Sequence, residues 1–422
     1  MTPEAKEKIK KIRNGIVPEG YKKTRVGIVP ADWNEYTIGQ CLQRVERPVD
    51  VRADELYTQI GIRSHGKGLF YKEPVTGASL GNKAVYWVEP DCFVLNIVFA
   101  WEQAVSKTTQ NEVGMIGSHR FPMYQPIDEK VDVDYLITYM LTKRGKDILE
   151  EASPGGAGRN RTLGQDRFMK SKIILPSVEE QRRIAETLTA QNKTIELKEN
   201  LLAEKQREKK YLMQQLLTSK KRLPGFTGEW KRVKLSEVLF ERKEKNVDQD
   251  HRICSVAVQK GVVDQIEHLG RSYAAADTSN YGVAHYGDII YTKSPTGDFP
   301  YGIIKQSQMN EAVAVSPLYG IYEPVSYELG YLLHTYFGDA VNCSNYLLPI
   351  IQKGAKNTIN ITNDVFASKK LCLPMDAAEQ KALADLFMTA DNEINLLRQS
   401  IDLEKRKKKA LMQLLLTGIV RA

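Results

Sequence analysis

The sequence predicts an α+β protein built as an internal repeat: two tandem α+β domains, joined and spaced by two long antiparallel coiled-coil helices. Three observations predict it. KKYLMQQLLT at 209–218 returns as KKKALMQLLLT at 407–417. Each phrase ends a helical stretch of about 40 residues with apolar side chains at seam spacing. Ahead of each stretch lie about 145 residues of short β-type runs, broken by turn signals and followed by a helix-like segment.

Aligning Glu180-Gln181 with Glu379-Gln380 gives an offset of 199 that runs ungapped through LMQ at 212–214 and 411–413. The identities include Ala185/Ala384, Ile195/Ile394, Leu197/Leu396, Arg207/Arg406 and Thr218/Thr417. Upstream, at an offset of 198, Pro176 matches Pro374, Phe168 matches Phe366 and Asp166 matches Asp364. DWNEYTIGQCL at 32–42 lies over EWKRVKLSEVL at 229–239. The expected segments are a basic helix or arm at 1–30, the first domain at 31–175, the central helix at 176–218, a linker at 219–229, the second domain at 230–373 and the C-terminal helix at 374–422.

In chain order, Thr2-Pro3 opens a short basic helix to about Asn14, with Gly15 as its cap. IVPEGY at 16–21 is like RLPGF at 222–226. The arm therefore either repeats the end of a long helix and docks near the C-terminal helix, or is a disordered basic tail; both readings stay open. The first domain shows YTQIGI, KAVYWV, CFVLNIVFAW and VGMIG, then DVDYLITYMLTKRGKDILEE at 132–151. The second shows ICSVAV, GDIIYTK, YGIIK and AVAVSPLYGIY, then YELGYLLHTYFG at 327–338. A mixed or mainly antiparallel sheet is expected, of undetermined strand order.

Pro176 and Pro374 stand just ahead of the long helices, where proline is tolerated. Ser177 is the expected N-cap of the first, with Glu179 and Glu180 in its first turn. Leu188, Ile195, Leu202 and Leu216 fall on one seam position, with Ile184 and Leu212 on the other. Phe387, Ile394, Ile401 and Leu415 match them in the second helix, beside Leu383, Leu397 and Leu411. Lys209 and Lys408 share one slot. Gln191, Lys198, Lys205 and Glu404 are polar seam residues, expected to weaken the pairing and fix its register. At 1.5 Å per residue each helix spans about 60 Å. SKKRLPGFTG at 219–228 reads as the turn that lets the helices run antiparallel.

Composition narrows the function classes. No apolar run is long enough for a membrane span, and the charged start is unlike a secretion signal. Five scattered cysteines without a CxxC point to a reducing cytoplasm and away from a disulfide framework or structural zinc. The net charge of +8 concentrates outside the domains: residues 1–30 carry about +5 and 176–229 about +3, whereas 31–175 and 230–373 are near neutral. DNA binding by the domains would then rest on local patches rather than a general positive field.

Several loops supply such patches. GIRSHGKG holds Arg63, Ser64, His65 and Lys67 between glycines; KTTQN holds Lys107, Thr109 and Gln110. SPGGAGRNR carries Arg159, Asn160 and Arg161, and its repeat partner QKGAKNT carries Gln352, Lys353, Lys356 and Asn357. Gln259, Lys260 and Lys293 complete the candidates in the second domain. Arg and Lys can pair with guanine edges and Asn or Gln with adenine, while other basic groups hold phosphates. The plainer alternative is a solvated loop. No catalytic residue or metal site is expected. GIRSHGKG ends on Gly68 where a P-loop needs Ser or Thr. Glu196-Leu197-Lys198 lies on the seam helix without a partner Asp, and His251 with Cys254 lacks a second ligand pair.

LPSVEEQRRIA, EKKYLMQQLLTSKKRLPGF and KKKALMQLLLTG resemble the specificity subunits of type I restriction–modification systems, over nearly the whole chain. The departures are TSKKR where that family often has TGKKR, and DCF at 91–93 where it often has a PGD-type turn; the second copy keeps GDI at 287–289. The resemblance implies two target-recognition domains, each reading one half of a split, asymmetric target in double-stranded DNA. It implies that the paired helices set the spacer and dock two methyltransferase subunits, through Leu212, Met213, Leu216 and Leu217 at one site and Leu411, Met412, Leu415 and Leu416 at the other. It further implies restriction/translocase subunits, a complex acting as a type I site-specific deoxyribonuclease and adenine-specific DNA methyltransferase, and a chain that is itself non-catalytic. No cofactor is expected in this subunit; S-adenosylmethionine, ATP and Mg belong to its partners. The alternative is a coiled-coil protein–protein scaffold without sequence-specific DNA binding.

Overall fold

A computed structural model describes residues 3–81, 83–155, 161–271, 274–353 and 359–422. The chain divides into two compact units: Met1–Leu197 with Ile401–Ala422, and Lys198–Ser400. The long helices run Val178–Leu216 and Ala377–Leu415, so each contributes one half to each unit rather than standing as a separate rod. Ser177 caps the first helix as expected, its Oγ accepting from the Glu180 N–H at 3.3 Å. Asp376 does the same for the second, accepting from the N–H groups of Ala378 (2.7 Å) and Glu379 (3.2 Å). The C-terminal helix stops at Leu415. Gly418 then takes φ +69°, and a Cβ there would meet Pro30 Cδ at 2.4 Å, so only glycine fits.

In the first unit a four-stranded antiparallel sheet runs Leu42–Val45, Met123–Pro126, Phe93–Leu95, Val105–Lys107. In the second, the order Leu239–Glu241, Gly320–Pro324, Ile289–Tyr291, Ile304–Gln306 is the same. Two further pairings recur. Asn34–Thr37 pairs with Lys172–Leu175, and Lys231–Lys234 with Lys370–Leu373, tying the start of each domain to its end. Val85–Trp87 pairs with Ile116–Ser118, and Gly282–Ala284 with Val313–Val315. One parallel pairing, Arg252–Ala257 with Val313–Val315, makes the second unit's other four-stranded sheet mixed. The repeat read in the sequence is thus a repeat of topology.

The aligned aromatic pairs sit at the centre of each core. Tyr124 meets Phe168 at 6.1 Å between ring centroids, and Tyr322 meets Phe366 at 5.1 Å; all four are buried. Burying each such ring contributes about 1.5–3 kcal/mol.

Seam pairing is antiparallel within each unit. In the first, Ile184 and Leu188 pack in one core with Leu415 and Leu416. The Gln191 amide donates to Glu404 Oε2 at 2.8 Å, and Arg421 forks onto Glu180 (2.6 and 2.7 Å) and Asp32 (2.9 and 2.8 Å). In the second, Lys198 donates to Ser400 Oγ at 2.8 Å, and Lys205 pairs with Glu393 at 3.1 Å. Lys209 pairs with Asp391 and Arg222 with Glu379, the last at 2.6 Å. Gln191, Glu404, Lys198 and Lys205, the expected polar seam residues, all make polar contacts across the seam.

These cores correct one expectation. Met213, Leu216 and Leu217 are buried against Tyr331, Leu332, Leu383 and Phe387, with Leu212 packed beside them. Leu415 and Leu416 are buried in the first core, with Leu411 and Met412 against it. Met213, Leu216, Leu217, Leu415 and Leu416 thus serve intramolecular packing, while Leu212, Leu411 and Met412 stay half-buried at its edge. The N-terminal arm settles the other open choice. After the helix Pro3–Arg13, Tyr21 donates to the carbonyls of Gly418 (2.9 Å) and Ile419 (3.3 Å), docking the arm at the chain's C-terminal end.

Candidate nucleic-acid interface

Both units carry a hairpin at the same place in the fold. In the first, Ile60–Ile62 pairs with Leu69–Tyr71 and the tip Arg63–Gly68 projects between them. In the second, Arg252–Ala257 pairs with Gly261–Asp264, and Gln259 and Lys260 lie in the turn. Two sets of candidates that looked unrelated in the sequence are thus structural equivalents. The first tip is tightly turned, with His65, Gly66 and Gly68 all at positive φ. Arg63 N–H donates to Gly68 O at 3.0 Å, closing the turn.

Arg63, His65 and Lys67 are exposed. The Arg63 guanidinium donates to Leu69 O at 3.0 Å and lies over the Phe70 ring at 5.3 Å, which holds it in a defined direction. Ser64 is committed elsewhere: its hydroxyl donates to Glu102 at 2.7 Å. The backbone N–H groups of His65 and Gly66 donate to Glu102 O and Gln103 O, so the tip is stitched to the turn Ala100–Gln103. Arg161 reaches the same turn, its guanidinium 5.6 Å from the Trp101 ring centroid. The structure therefore gathers Arg63, His65, Lys67 and Arg161 around one polar turn, from loops about 100 residues apart.

Other candidates are corrected. Lys107 is not a free cation: it pairs with Asp134 at 2.9 Å and Asp91 at 3.3 Å. Burial pulls its pKa down, but the bonds to Asp134 and Asp91 outweigh that and leave it raised. Thr109 is a cap; its hydroxyl donates to Glu112 at 2.8 Å and accepts from the Asn111 N–H at 3.2 Å. Gln110 beside it is exposed. Gln259 and Lys260 are exposed, whereas Lys293 is half-buried with φ +58° and a pKa lowered by burial. Gln352 and Lys353 form a short strand with Ile359–Asn360. Arg159, Asn160, Lys356 and Asn357 lie outside the described residues. Among the described residues no cluster of His, Cys, Asp or Glu could hold a metal ion. None of their helices is long and apolar enough to cross a membrane.

Residues 74–207, from the middle of the first domain into the central helix, match the family model of the type I restriction modification DNA specificity domain. That stretch carries the sequence signature of a type I restriction–modification DNA specificity domain. Solved structures share the fold. The HsdS subunit from Thermoanaerobacter tengcongensis is 16% identical with a TM-score of 0.50, and the match covers 93% of this chain and 98% of that one. The type I restriction–modification system S subunit from M. genitalium is 11% identical with a TM-score of 0.57, covering 91% and 96%. A chain from work on complex assembly and conformational transition of the type I R-M system is 16% identical with a TM-score of 0.52, covering 93% and 99%. The matched domain and the shared fold make the basic hairpin tips the natural place to look for contacts with DNA.

Proposed function

We propose that each α+β domain reads one half of a split, asymmetric DNA target and that the paired helices set the distance between the halves. The observation that carries this is the duplicated topology with divergent tips: one sheet order in both units, but RSHGKG in one hairpin and VQK in the other. Different side chains on one framework read different bases. In the first unit, Arg63, His65, Lys67 and Arg161 are the contacts we assign; in the second, Gln259 and Lys260. Methylome sequencing of the host with and without this gene tests the reading. A bipartite motif with unlike halves disappears on deletion; loss of one uninterrupted motif overturns the two-reader proposal.

Two methyltransferase subunits would dock on the outer face of the helices, since most of the repeated Leu and Met side chains pack into the cores. Leu197 in the first unit and Leu396 in the second are one repeat apart and each 55% exposed, which gives each unit one matching apolar contact. This subunit would itself catalyse nothing. S-adenosylmethionine, ATP and Mg would enter with methyltransferase and restriction/translocase partners in the cytoplasm, where the five cysteines stay as thiols. A one-turn insertion into both long helices tests the spacer. A turn rises about 5.4 Å against 3.4 Å per base pair, so the methylated motif should lengthen by one or two base pairs. An unchanged spacer would remove the ruler from the proposal.

A further inference from the structure

The second unit holds a cleft of about 800 Å³ where its domain faces its own halves of the long helices. That volume is typical of small-molecule sites. Its floor is built from the strand Ile304–Gln306 and the helix Tyr327–Phe337. Lys305, on the strand, is only 8% exposed, and no described residue hydrogen-bonds or ion-pairs with its ammonium. Of the cleft's aspartates, Asp391 is the one whose charge acts on Lys305, and it is already engaged. Asp391 accepts from the Tyr331 hydroxyl at 2.6 Å and pairs with Lys209.

Two further donors share the floor. His334 Nδ1 accepts from the Gln306 N–H at 3.0 Å, which leaves the ring proton on Nε2. Its pKa is pushed down to about 3, by burial first and then by the charge of Lys305, so the ring is neutral. Thr335 lines the cleft with a buried hydroxyl that has no partner. A buried, unpaired ammonium is costly, and an unsatisfied donor beside it adds to the cost. Across the lining, cationic side chains outnumber anionic ones by two.

None of this is demanded by the repeat. In the first unit the position of Lys305 is held by Ser106, as the strand registers show. Counting from the N-caps Asp132 and Ser326, Met140 stands for His334, Ile137 for Tyr331 and Leu141 for Thr335. The first copy has apolar side chains at these helix positions and a small uncharged serine for the lysine; the second keeps the region open, polar and cationic.

We propose that the cleft binds a small phosphorylated ligand of mononucleotide size, with its phosphoryl group on Lys305, His334 Nε2–H and the Thr335 hydroxyl. A phosphoryl group has three acceptor oxygens for three waiting donors, and a charge that pairs the ammonium. Gln206, Asn392 and Asn395 line the helical wall with amides able to bond a base or sugar.

Calorimetric titration of the full-length chain with inorganic phosphate, adenosine monophosphate and a DNA duplex of unrelated sequence tests this. The expected result is binding of phosphate, tighter binding of the nucleotide, and at least about tenfold weakening of both in Lys305→Met. Lys305→Met keeps the stem length and removes a buried charge, so it should melt no lower than wild type. Asn395→Trp, at an exposed helix position in the cleft wall, gives an independent block and should abolish nucleotide binding. The proposal is overturned if neither phosphate nor nucleotide binds the wild type, or if both variants bind as well as wild type. It is also overturned if only the duplex competes for Lys305, which would make the cleft part of a DNA path.

Discussion

At the turn before the strand Phe93–Leu95 the first domain places Asp91 and Cys92; at the matching turn the second places Gly287 and Asp288. Asp288 is 2% exposed and held by Arg242, with contacts of 2.7 Å to Nε and 3.1 Å to a terminal nitrogen, and it also accepts from the His285 N–H. Its counterpart Cys92 is a buried thiol whose pKa burial pushes up to about 11. The partner position changes with it: Val45 stands where the second domain has Arg242. One framework carries an ion pair at these two positions in the second domain and the uncharged residues Val45 and Cys92 in the first. The lesson is that the copies diverged by exchanging partners together, which preserves the fold while shifting charge into the second unit.

The largest effect should come from breaking that ion pair on one side only. Asp288→Ala strands Arg242 in a largely desolvated position and should cost the second unit about 3 kcal/mol. This is the low end for a buried pair, because Arg242 retains some contact with water and with Glu323 at 3.2 Å. Cys92→Ala, at the equivalent site, should cost the first unit about 1 kcal/mol, the loss of a small buried group. Replacing both partners, Arg242→Val with Asp288→Cys, should restore most of the loss, since uncharged residues of the first copy's kind substitute for a buried ion pair at little cost. Denaturant midpoints of the four proteins decide it. A double variant no better than Asp288→Ala would mean the two positions did not exchange as a pair.

The second difference is a matter of pH. His334 is the titratable group in a region where the first copy has Met140. Its folded pKa of about 3 lies below the ordinary value of 6.5, first through burial, then through Lys305 and Lys209, with Asp391 favouring protonation. The unfolded chain therefore binds more protons than the native one between those values. Stability from this group is present above pH 6.5 and is lost as pH falls toward 3. The second unit's melting temperature should drop between about pH 7.5 and pH 5.5, before the carboxylates titrate. His334→Met should flatten that slope. A wild-type melting temperature constant over the window would show that the ring accepts a proton at little cost.

These contrasts also show what a sequence can and cannot disclose. Seam residues such as Leu188 and Phe387 were legible because helical period alone places them on one face. The same period could not tell whether the neighbour of Met213 or Leu415 was another protein or the chain's own core. That depends on Tyr331 and Leu332 for Met213, and on Tyr135 and Leu136 for Leu415, which come from distant helices. Lys107 looked like a free base because its partners Asp91 and Asp134 arrive from two other segments. Conversely, the gathering of Arg63, His65, Lys67 and Arg161 at one turn had no linear signature. The Ser177 cap is legible because its partner is only three residues away, and Asp376 carries the same local signal.

The smallest effect lies in the backbone of the turn with which the comparison began. Gly287 has φ +90°, and an added Cβ would stand 3.3 Å from the Tyr327 ring. Asp91 takes φ +55° in the matching place and offers its carboxylate to Lys107. Aspartate tolerates this region better than most residues but less well than glycine. Asp91→Gly should relieve the backbone strain and lose an exposed ion pair, two terms of opposite sign and each below about 1 kcal/mol. The net change should stay within about 0.5 kcal/mol. Gly287→Ala has no compensating gain and should cost about 1 kcal/mol. Measured side by side, a near-neutral first substitution and a costly second would show that the first domain can dispense with glycine here while the second cannot. A costly Asp91→Gly would instead make the Lys107 pair the reason aspartate stands at that turn.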